Sequence, residues 1–419
     1  MNDKALKFPK GFLWGAAVSA HQVEGGNRND WSEWEKENAR RLAKEARLKW
    51  TPWQQEKFPE MFDPQNYISG RACDHYNRYE EDLDIAKSLG FNAFRISIEW
   101  SRIEPEEGKF NERGIEHYRK VIEAIRAREM EPFVTLWHFT NPVWLAELGG
   151  VESKNFPFYF SRYVKFIAQN LRSEVRFWLT LNEPTSVIAN SYLKGIWPPQ
   201  KRNLFSALRV YKILAQAHNQ AYQEIKNLKE DFQVGLANIL QFIEPHNKES
   251  FLDRLTAKIS NYYTNEKFYS LTLKNHDFLA VQYYFHNKVK FPGKIENENS
   301  EISDLGWEIY PEGIYHILKD LKKYNLPIYI TENGLADAED KKRANFIKDH
   351  LGWVHKAIQE GADVRGYFHW SLLDNFEWDK GFWPRFGLVE MNYKTMERKI
   401  RPSAWEYAKV CKSDELVLK

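Results

Sequence analysis

The sequence predicts an α/β protein, a single (β/α)8 barrel over residues 1–419. Three observations predict it. Eight short apolar runs recur along the chain. Amphipathic segments of helical length lie between most of them, the alternation that builds a parallel sheet covered by helices. No Ser/Gly linker, low-complexity tract or short repeat offers a place to divide the chain. A doubly wound open sheet is the alternative, disfavoured because no Gly-rich dinucleotide loop or phosphate loop follows a strand.

Taken in order, the strand candidates are "FLWGAAV" (12–18), "FNAFRISI" (91–98), "PFVTLWH" (132–138) and "RFWLTLN" (176–182), then "QVGLANIL" (233–240), "DFLAVQYY" (277–284), "PIYITEN" (327–333) and "VRGYFHWSL" (364–372). Their near-continuous apolar character suits strands covered on both faces. Helical patterns occupy 75–89, 112–129, 204–228, 312–324 and 339–360. The first run poses a choice. "KFPKGFLWGAAVSAHQ" (7–22) has two lysines, an apolar stretch and a small-residue "AVSA", the outline of a secretory signal peptide. In a barrel the same run is the first stave, and cleavage after Ala20 would remove one-eighth of the wall. It is therefore read as a strand, and the protein as cytoplasmic. Residues 35–58 form a charged excursion after that strand, read as a solvated surface helix, with cover over the mouth or an oligomer contact as the alternative.

Bulk composition narrows the function classes. The net charge of +2 with 28% charged residues carries no basic footprint for nucleic acid. No apolar run approaches a membrane span. Two cysteines, Cys73 and Cys411, mildly favour a reducing compartment. An aromatic content of 15%, with 16 Trp and 21 Tyr, fits either a large packed core or a site that stacks indole rings on flat apolar faces.

A barrel places chemistry at the C-terminal ends of its strands. Those ends carry Gln22 and His21 after strand 1, Arg95 on strand 2, His138 after strand 3, Asn182-Glu183 on strand 4, Tyr284 on strand 6, Glu332 on strand 7 and Trp370 on strand 8. Glu183 and Glu332 would face each other across the mouth. Any one Glu there reads as a solvated rim residue. A facing pair matches what acetal hydrolysis needs, one carboxyl to protonate the leaving oxygen and one carboxylate to attack or stabilise the cationic sugar carbon. The charge on one member disfavours ionisation of the other, so the two separate their pKa values.

The segments "GFLWGAAVSAHQVEG", "FRISIEWSRIEP", "TLNEP", "GWEIYPEG", "ITENG" and "HWSLLDNFEW…GFWPRFGL" resemble, in order, the signature segments of glycoside hydrolase family 1, the β-glucosidase family. They run from residue 11 to about 389. The resemblance implies a (β/α)8 barrel and a retaining double displacement on small β-glycosides, with no cofactor or metal. It implies Glu332 as nucleophile and Glu183 as acid/base, with Arg95 and Tyr284 orienting Glu332. Gln22, His138 and Glu377 would bind sugar hydroxyls. Trp370 would be the stacking floor, Trp378 a hydroxyl donor, and Asn182 the holder of the 2-hydroxyl. Phe386 reads equally as wall packing or a selective contact.

Three departures stand out. Gln282 occupies the place where the family usually has Asn before Tyr-Tyr, so hydrogen bonding around Tyr284 and Glu332 is expected to be rearranged. Phe139 replaces a frequent Trp and, with Glu99, resembles archaeal and thermophile branches. The chain is short for the family, which puts the loop-built aglycone subsites in doubt. The rival functions are a 6-phospho-β-glycosidase, opposed by Glu377-Trp378 in place of a phosphate-binding Ser/Lys/Tyr group, and an inactive sugar-binding barrel. Transglycosylation uses the same residues. Glucose-, galactose- or fucose-configured substrates are expected ahead of mannosides. A homo-oligomer is compatible with the sequence.

Overall fold

The computed structural model describes residues 4–418. Its eight principal strands are β1 (Leu13–Ala17), β2 (Ala93–Ser97), β3 (Glu131–Trp137), β4 (Phe177–Asn182), β5 (Gln233–Pro245), β6 (Leu279–Lys290), β7 (Ile328–Asn333) and β8 (Val364–Trp370). Each pairs in parallel with its sequence neighbours, and β8 pairs with β1, so the sheet closes into a barrel. The opening run is thus a stave, paired on both sides. All eight expected strands occur, with ends moved by a few residues except at β5 and β6. Those two remain paired from Ala237↔Ala280 to Pro245↔Val289, with one register shift after Leu240, past the ends of the other staves. This paired ribbon carries helix Phe251–Asn261.

The barrel is plugged, not hollow. Phe133, Phe177, Phe278, Tyr329 and Phe368 meet inside it, with Phe133 stacked on Phe177 at 4.3 Å and tilted against Phe368 at 4.8 Å. Inward positions alternate along a strand, so Thr135 stands two residues beyond Phe133 and begins the polar layer above the plug. In β4 and β7 the alternation breaks. Leu179 faces inward and so does Asn182, three residues on, across a register irregularity. Tyr329 and Glu332 repeat the pattern. Such irregularities re-aim side chains at barrel rims.

Helices wrap the outside. His75–Ser88, Glu112–Ala127 and Leu204–Leu228 lie where periodicity placed them. The segment read as 312–324 divides into Glu312–Leu321 and a 3-10 turn, and 339–360 begins only at Arg343. Helix Phe156–Leu171 was not among the expected segments. Its start, "FPFYF", puts aromatic rings on both faces, Phe156 and Phe160 buried but Phe158 63% exposed, which masks the helical period.

The reading of 35–58 as a solvated helix is corrected. Helix Asp30–Lys49 is capped by Asn29 and buries Trp31, Trp34, Glu35, Asn38 and Leu42. Its charged residues are exposed on one side only. The side facing the barrel carries the parts that reach the site.

Replacing Phe133 by Ala empties the centre of the plug. Urea unfolding should register a loss of about 3–5 kcal/mol. The folded fraction should retain hydrolytic turnover, because the plug lies below the polar layer. An unchanged midpoint would show the rings to be loosely packed.

Candidate active site

Above the plug a cavity opens at the C-terminal ends of the strands. Gln22, His138, Asn182, Glu183, Tyr284, Glu332, Trp370, Glu377, Trp378 and Phe386 all line it. Arg95 lies beneath them. Every residue singled out from the sequence is therefore brought to one place. Of the strand-end residues, His21 stands one layer back, stacked behind Trp378, and Glu24 is engaged by Arg102 and Tyr118 away from the cavity.

Glu332 is at the centre. Arg95 Nη1 forms a buried ion pair with Glu332 Oε1. Gln282 Nε2 donates to the same oxygen at 2.7 Å, and the Tyr284 hydroxyl donates to Oε2 at 2.9 Å. Arg95 is itself held by Thr135 Oγ1 at 3.0 Å and by Asn182 Oδ1 at 2.6 Å. Burial pushes the Glu332 carboxyl up, and Arg95 and Tyr284 oppose that push by stabilising the charge.

Glu183 follows β4 with φ +38°, a left-handed conformation that a glutamate adopts only under constraint. Phe139 and Trp378, also on the cavity wall, have φ +75° and +49°. Strain of this kind collects at functional sites. The one side-chain donor to Glu183 among the described residues is the Ser186 hydroxyl, at 2.7 Å. Burial first, then the Glu332 charge, pushes the Glu183 carboxyl up to about 8. Glu332 has three donors against one for Glu183, so a single proton shared by the pair resides on Glu183.

The departure at 282 has a definite consequence. Gln282 Nε2 is shared between Glu332 Oε1 and Asn182 Oδ1, at 2.7 and 2.8 Å. Asn182 Oδ1 thus accepts from both Arg95 and Gln282, which leaves its Nδ2 facing His138 Nε2 at 3.1 Å. Burial and the Arg95 charge hold His138 well below its ordinary pKa, so it is neutral. The rearrangement expected from the sequence is therefore a bridge linking the carboxylate to the Asn amide.

The remaining polar groups are committed on one side and free on the other. Gln22 donates to Asn375 Oδ1 and the Phe376 carbonyl, at 3.0 and 2.8 Å, and its Oε1 has no protein partner. Glu377 accepts no side-chain hydrogen bond among the described residues, and burial pushes it up to about 7. Trp370 and Trp378 flank His138 at 6.1 and 6.0 Å, nearly parallel to it. Two indole faces beside several unpaired polar atoms suit a ring with apolar faces and hydroxyl edges.

Trp378 is clamped from behind. His21 stacks on it at 5.5 Å and 7°, with its Nε2 2.7 Å from Glu35 on helix Asp30–Lys49. Burial disfavours charge on His21, but Glu35 outweighs it and raises the pKa. The next residue, Asp379, accepts from Lys49, Trp197 and Lys380 at 2.8, 2.8 and 2.9 Å. Trp197, Lys380, Trp307 and Phe285 line the cavity and were not singled out from the sequence. Two of them left a signal: Trp307 stands in the signature segment "GWEIYPEG", and Trp197 is an indole before Pro-Pro in the loop that follows "TLNEP".

Gly334 explains the glycine of "ITENG". A Cβ there would collide with the Trp370 carbonyl oxygen, so only glycine lets the β7 loop pass under the β8 tryptophan.

Comparison with known proteins agrees with this geometry. The family model for glycosyl hydrolase family 1 matches residues 4–276 and 258–416. The chain belongs to glycosyl hydrolase family 1. Among curated members, β-glucosidase A of Thermotoga maritima is 34% identical over 99% of this chain and 100% of its own length. Among solved family 1 structures, a β-glycosidase from Pyrococcus horikoshii superimposes with a TM-score of 0.87 at 37% identity, covering 99% of this chain and 96% of that one. The Thermotoga maritima β-glucosidase in complex with glucoimidazole gives 0.85 at 31% identity, covering 97% and 99%. The protein is a retaining glycoside hydrolase of this family. No helix among the described residues is long and apolar enough to cross a membrane.

Gln282→Leu keeps the volume and removes the bridge. A hydrogen bond to a charged group contributes about 1.5–3 kcal/mol, so kcat/KM should fall at least about tenfold. Loss of a donor to the ionised form raises the Glu332 pKa, so the acidic limb of the pH profile should move to higher pH. A profile superimposable on the wild type would reduce the amide to packing.

Proposed function

We propose that the protein hydrolyses terminal β-D-glucosidic bonds of small glycosides, and β-galactosidic and β-fucosidic ones, with Glu332 as nucleophile and Glu183 as acid/base. One observation carries the assignment of roles. Arg95, Gln282 and Tyr284 all donate to Glu332, whereas Glu183 has a lone hydroxyl and a carboxyl held protonated up to about pH 8.

In the first step the Glu332 carboxylate attacks the anomeric carbon while Glu183 gives its proton to the leaving oxygen. Asn182 Nδ2 and neutral His138 meet the 2- and 3-hydroxyl edge of the sugar, and the Asn182 contact strengthens as the ring becomes cationic. Gln22 Oε1 and Glu377 accept from hydroxyls at the other edge. Trp370 supplies the stacking face, Trp378 a donor through its indole N–H, and Phe386 the wall beside Tyr284. Esterification of Glu332 removes its charge. The part of the Glu183 shift due to that charge then disappears, and Glu183 becomes a base able to take a proton from water. An alcohol in place of water gives transglycosylation by the same route.

The uncommitted Glu377 carboxylate supports a neutral 6-hydroxymethyl group over a 6-phosphate, since two anions would meet there. Cys73 and Cys411 are buried free thiols, which supports a cytoplasmic location and small imported glycosides as substrates.

The roles separate by stereochemistry. With Glu332→Ala, azide should attack an activated aryl β-glucoside directly and yield the α-glucosyl azide. With Glu183→Ala, a dinitrophenyl glucoside should still form the glycosyl-enzyme and azide should yield the β-glucosyl azide, while substrates with poor leaving groups slow by about 10²–10⁴-fold. Exchange of the two product configurations would exchange the roles.

The acid must be protonated for the first step. Activity of the wild type should therefore fall as pH rises through about 8. Stability should fall over a lower range, below about pH 8. The unfolded Glu183 ionises at an ordinary carboxylate pKa and the folded one does not, so rising pH favours the unfolded chain from there up to about 8. A basic limb that survives Glu183→Gln would assign it to another group.

A further inference from the structure

A surface helix ordinarily turns its apolar stripe toward the protein. Helix Phe251–Asn261 does the reverse. Asp253 and Ala257, one turn apart, face inward and are buried. The Asp253 carboxylate accepts from the backbone N–H groups of Asn247 and Phe291, at 3.1 and 3.0 Å, which fixes the helix by its polar side. Phe251, Leu255, Ile259 and Tyr262 form the outward stripe, and Phe251 is 68% exposed.

The stripe continues onto a second helix. The Tyr263 carbonyl accepts from the Tyr211 hydroxyl at 3.3 Å, and the Lys267 ammonium lies over both rings. One and two turns before Tyr211 stand Leu208 and Phe205, both exposed, Phe205 at 79%. The β5–β6 ribbon holds this face beyond the barrel, on the side of the mouth.

The exposed charges beside the stripe are mostly basic. On helix Phe251–Asn261 the exposed charges are Arg254 and Lys258, and on the first three turns of Leu204–Leu228 they are Arg209 and Lys212. Arg209 pairs with Glu152 at 3.1 Å. Arg254, Lys258, Lys212 and Lys267 form no ion pair among the described residues. Of the nearby acids, Glu249 precedes the helix, Glu266 is engaged by Lys323 at 3.4 Å, and Asp320 shares a groove with Arg254 and Lys258, where burial disfavours its charge.

We propose that this outward apolar face, with its basic flanks, docks the protein on an anionic lipid bilayer. Phenylalanine and leucine side chains would enter the boundary between headgroups and acyl chains while arginine and lysine meet lipid phosphates. Tyr262 and Tyr263 have the amphipathic rings that settle at that depth. A second copy is the other candidate occupant. A two-fold contact presses a patch against itself, which would set the basic flanks of one copy against those of the other. An anionic surface complements them.

Flotation of the full-length protein with phosphatidylcholine vesicles, with and without phosphatidylglycerol, tests this. The wild type should float with the anionic vesicles, and binding should weaken about tenfold without phosphatidylglycerol or in high salt. The pair Phe251→Ser/Leu255→Ser and the pair Arg254→Glu/Lys258→Glu should each lose about tenfold in binding. Both should keep wild-type turnover of a soluble aryl glucoside, which shows that they fold. Wild-type protein that never floats, or variants that float like it, would overturn the proposal. A concentration-dependent dimer abolished by Phe251→Ser/Leu255→Ser would overturn it in favour of a second copy.

Discussion

The site is organised by one buried ion pair, Arg95 with Glu332. Burying two charges is expensive, and a pair of this kind is tolerated only when further hydrogen bonds satisfy it. That requirement accounts for the neighbours. Thr135, at the top of β3, accepts a hydrogen bond from Arg95 Nε. Asn182 takes another from Nη2, and Gln282 and Tyr284 complete the carboxylate. Five strands, β2, β3, β4, β6 and β7, are tied through two charges. The same network leaves Glu183 outside it. The difference in donors between two buried carboxyls, rather than any difference in residue type, sets one to hold the proton and the other the charge.

The wall of the cavity depends on a second buried arrangement. The loop after β8 carries Glu377 and Trp378, and loops are the mobile parts of a barrel. Here the loop is fixed from behind. His21, held by Glu35, stacks on the Trp378 ring, and Asp379 joins helix Asp30–Lys49, the Trp197 loop and Lys380. Asp379 carries a carboxyl held well below its usual range by the two lysines and by Trp197, against the cost of its burial. The charged helix after β1 is therefore a buttress for the cavity wall, and its acidic and basic residues are divided between that task and solvent.

The β5–β6 ribbon serves two ends. Inside, it closes the barrel and delivers Gln282 and Tyr284. Outside, it extends past the mouth and supports a helix whose polar side is consumed by backbone N–H groups. A helix anchored through Asp253 has no means of burying Phe251 and Leu255 against its own chain. The exposed apolar face follows from how the helix is held.

Much of this was legible in the chain itself. The eight apolar runs determined the barrel, because a parallel sheet covered on both faces needs such runs, and "ITENG" and "TLNEP" placed two carboxylates at the ends of staves. The failures have physical causes. Helix Phe156–Leu171 was hidden by aromatic residues that stand on both its buried and its exposed faces, regardless of period. Residues 35–58 looked solvated because composition cannot say which of a helix's charges face a buried histidine. Trp197 and Lys380 reach the cavity only through the folding of distant loops onto Asp379. The sequence by itself determined which residues have the chemistry. The tertiary structure decided where they point. The irregularities in β4 and β7 turn Asn182 and Glu332 inward out of step with the two-residue alternation, and the distribution of donors across five strands separates the protonated carboxyl from the ionised one. Neither depends on local sequence, because both are set by contacts between residues some 40 to 240 positions apart.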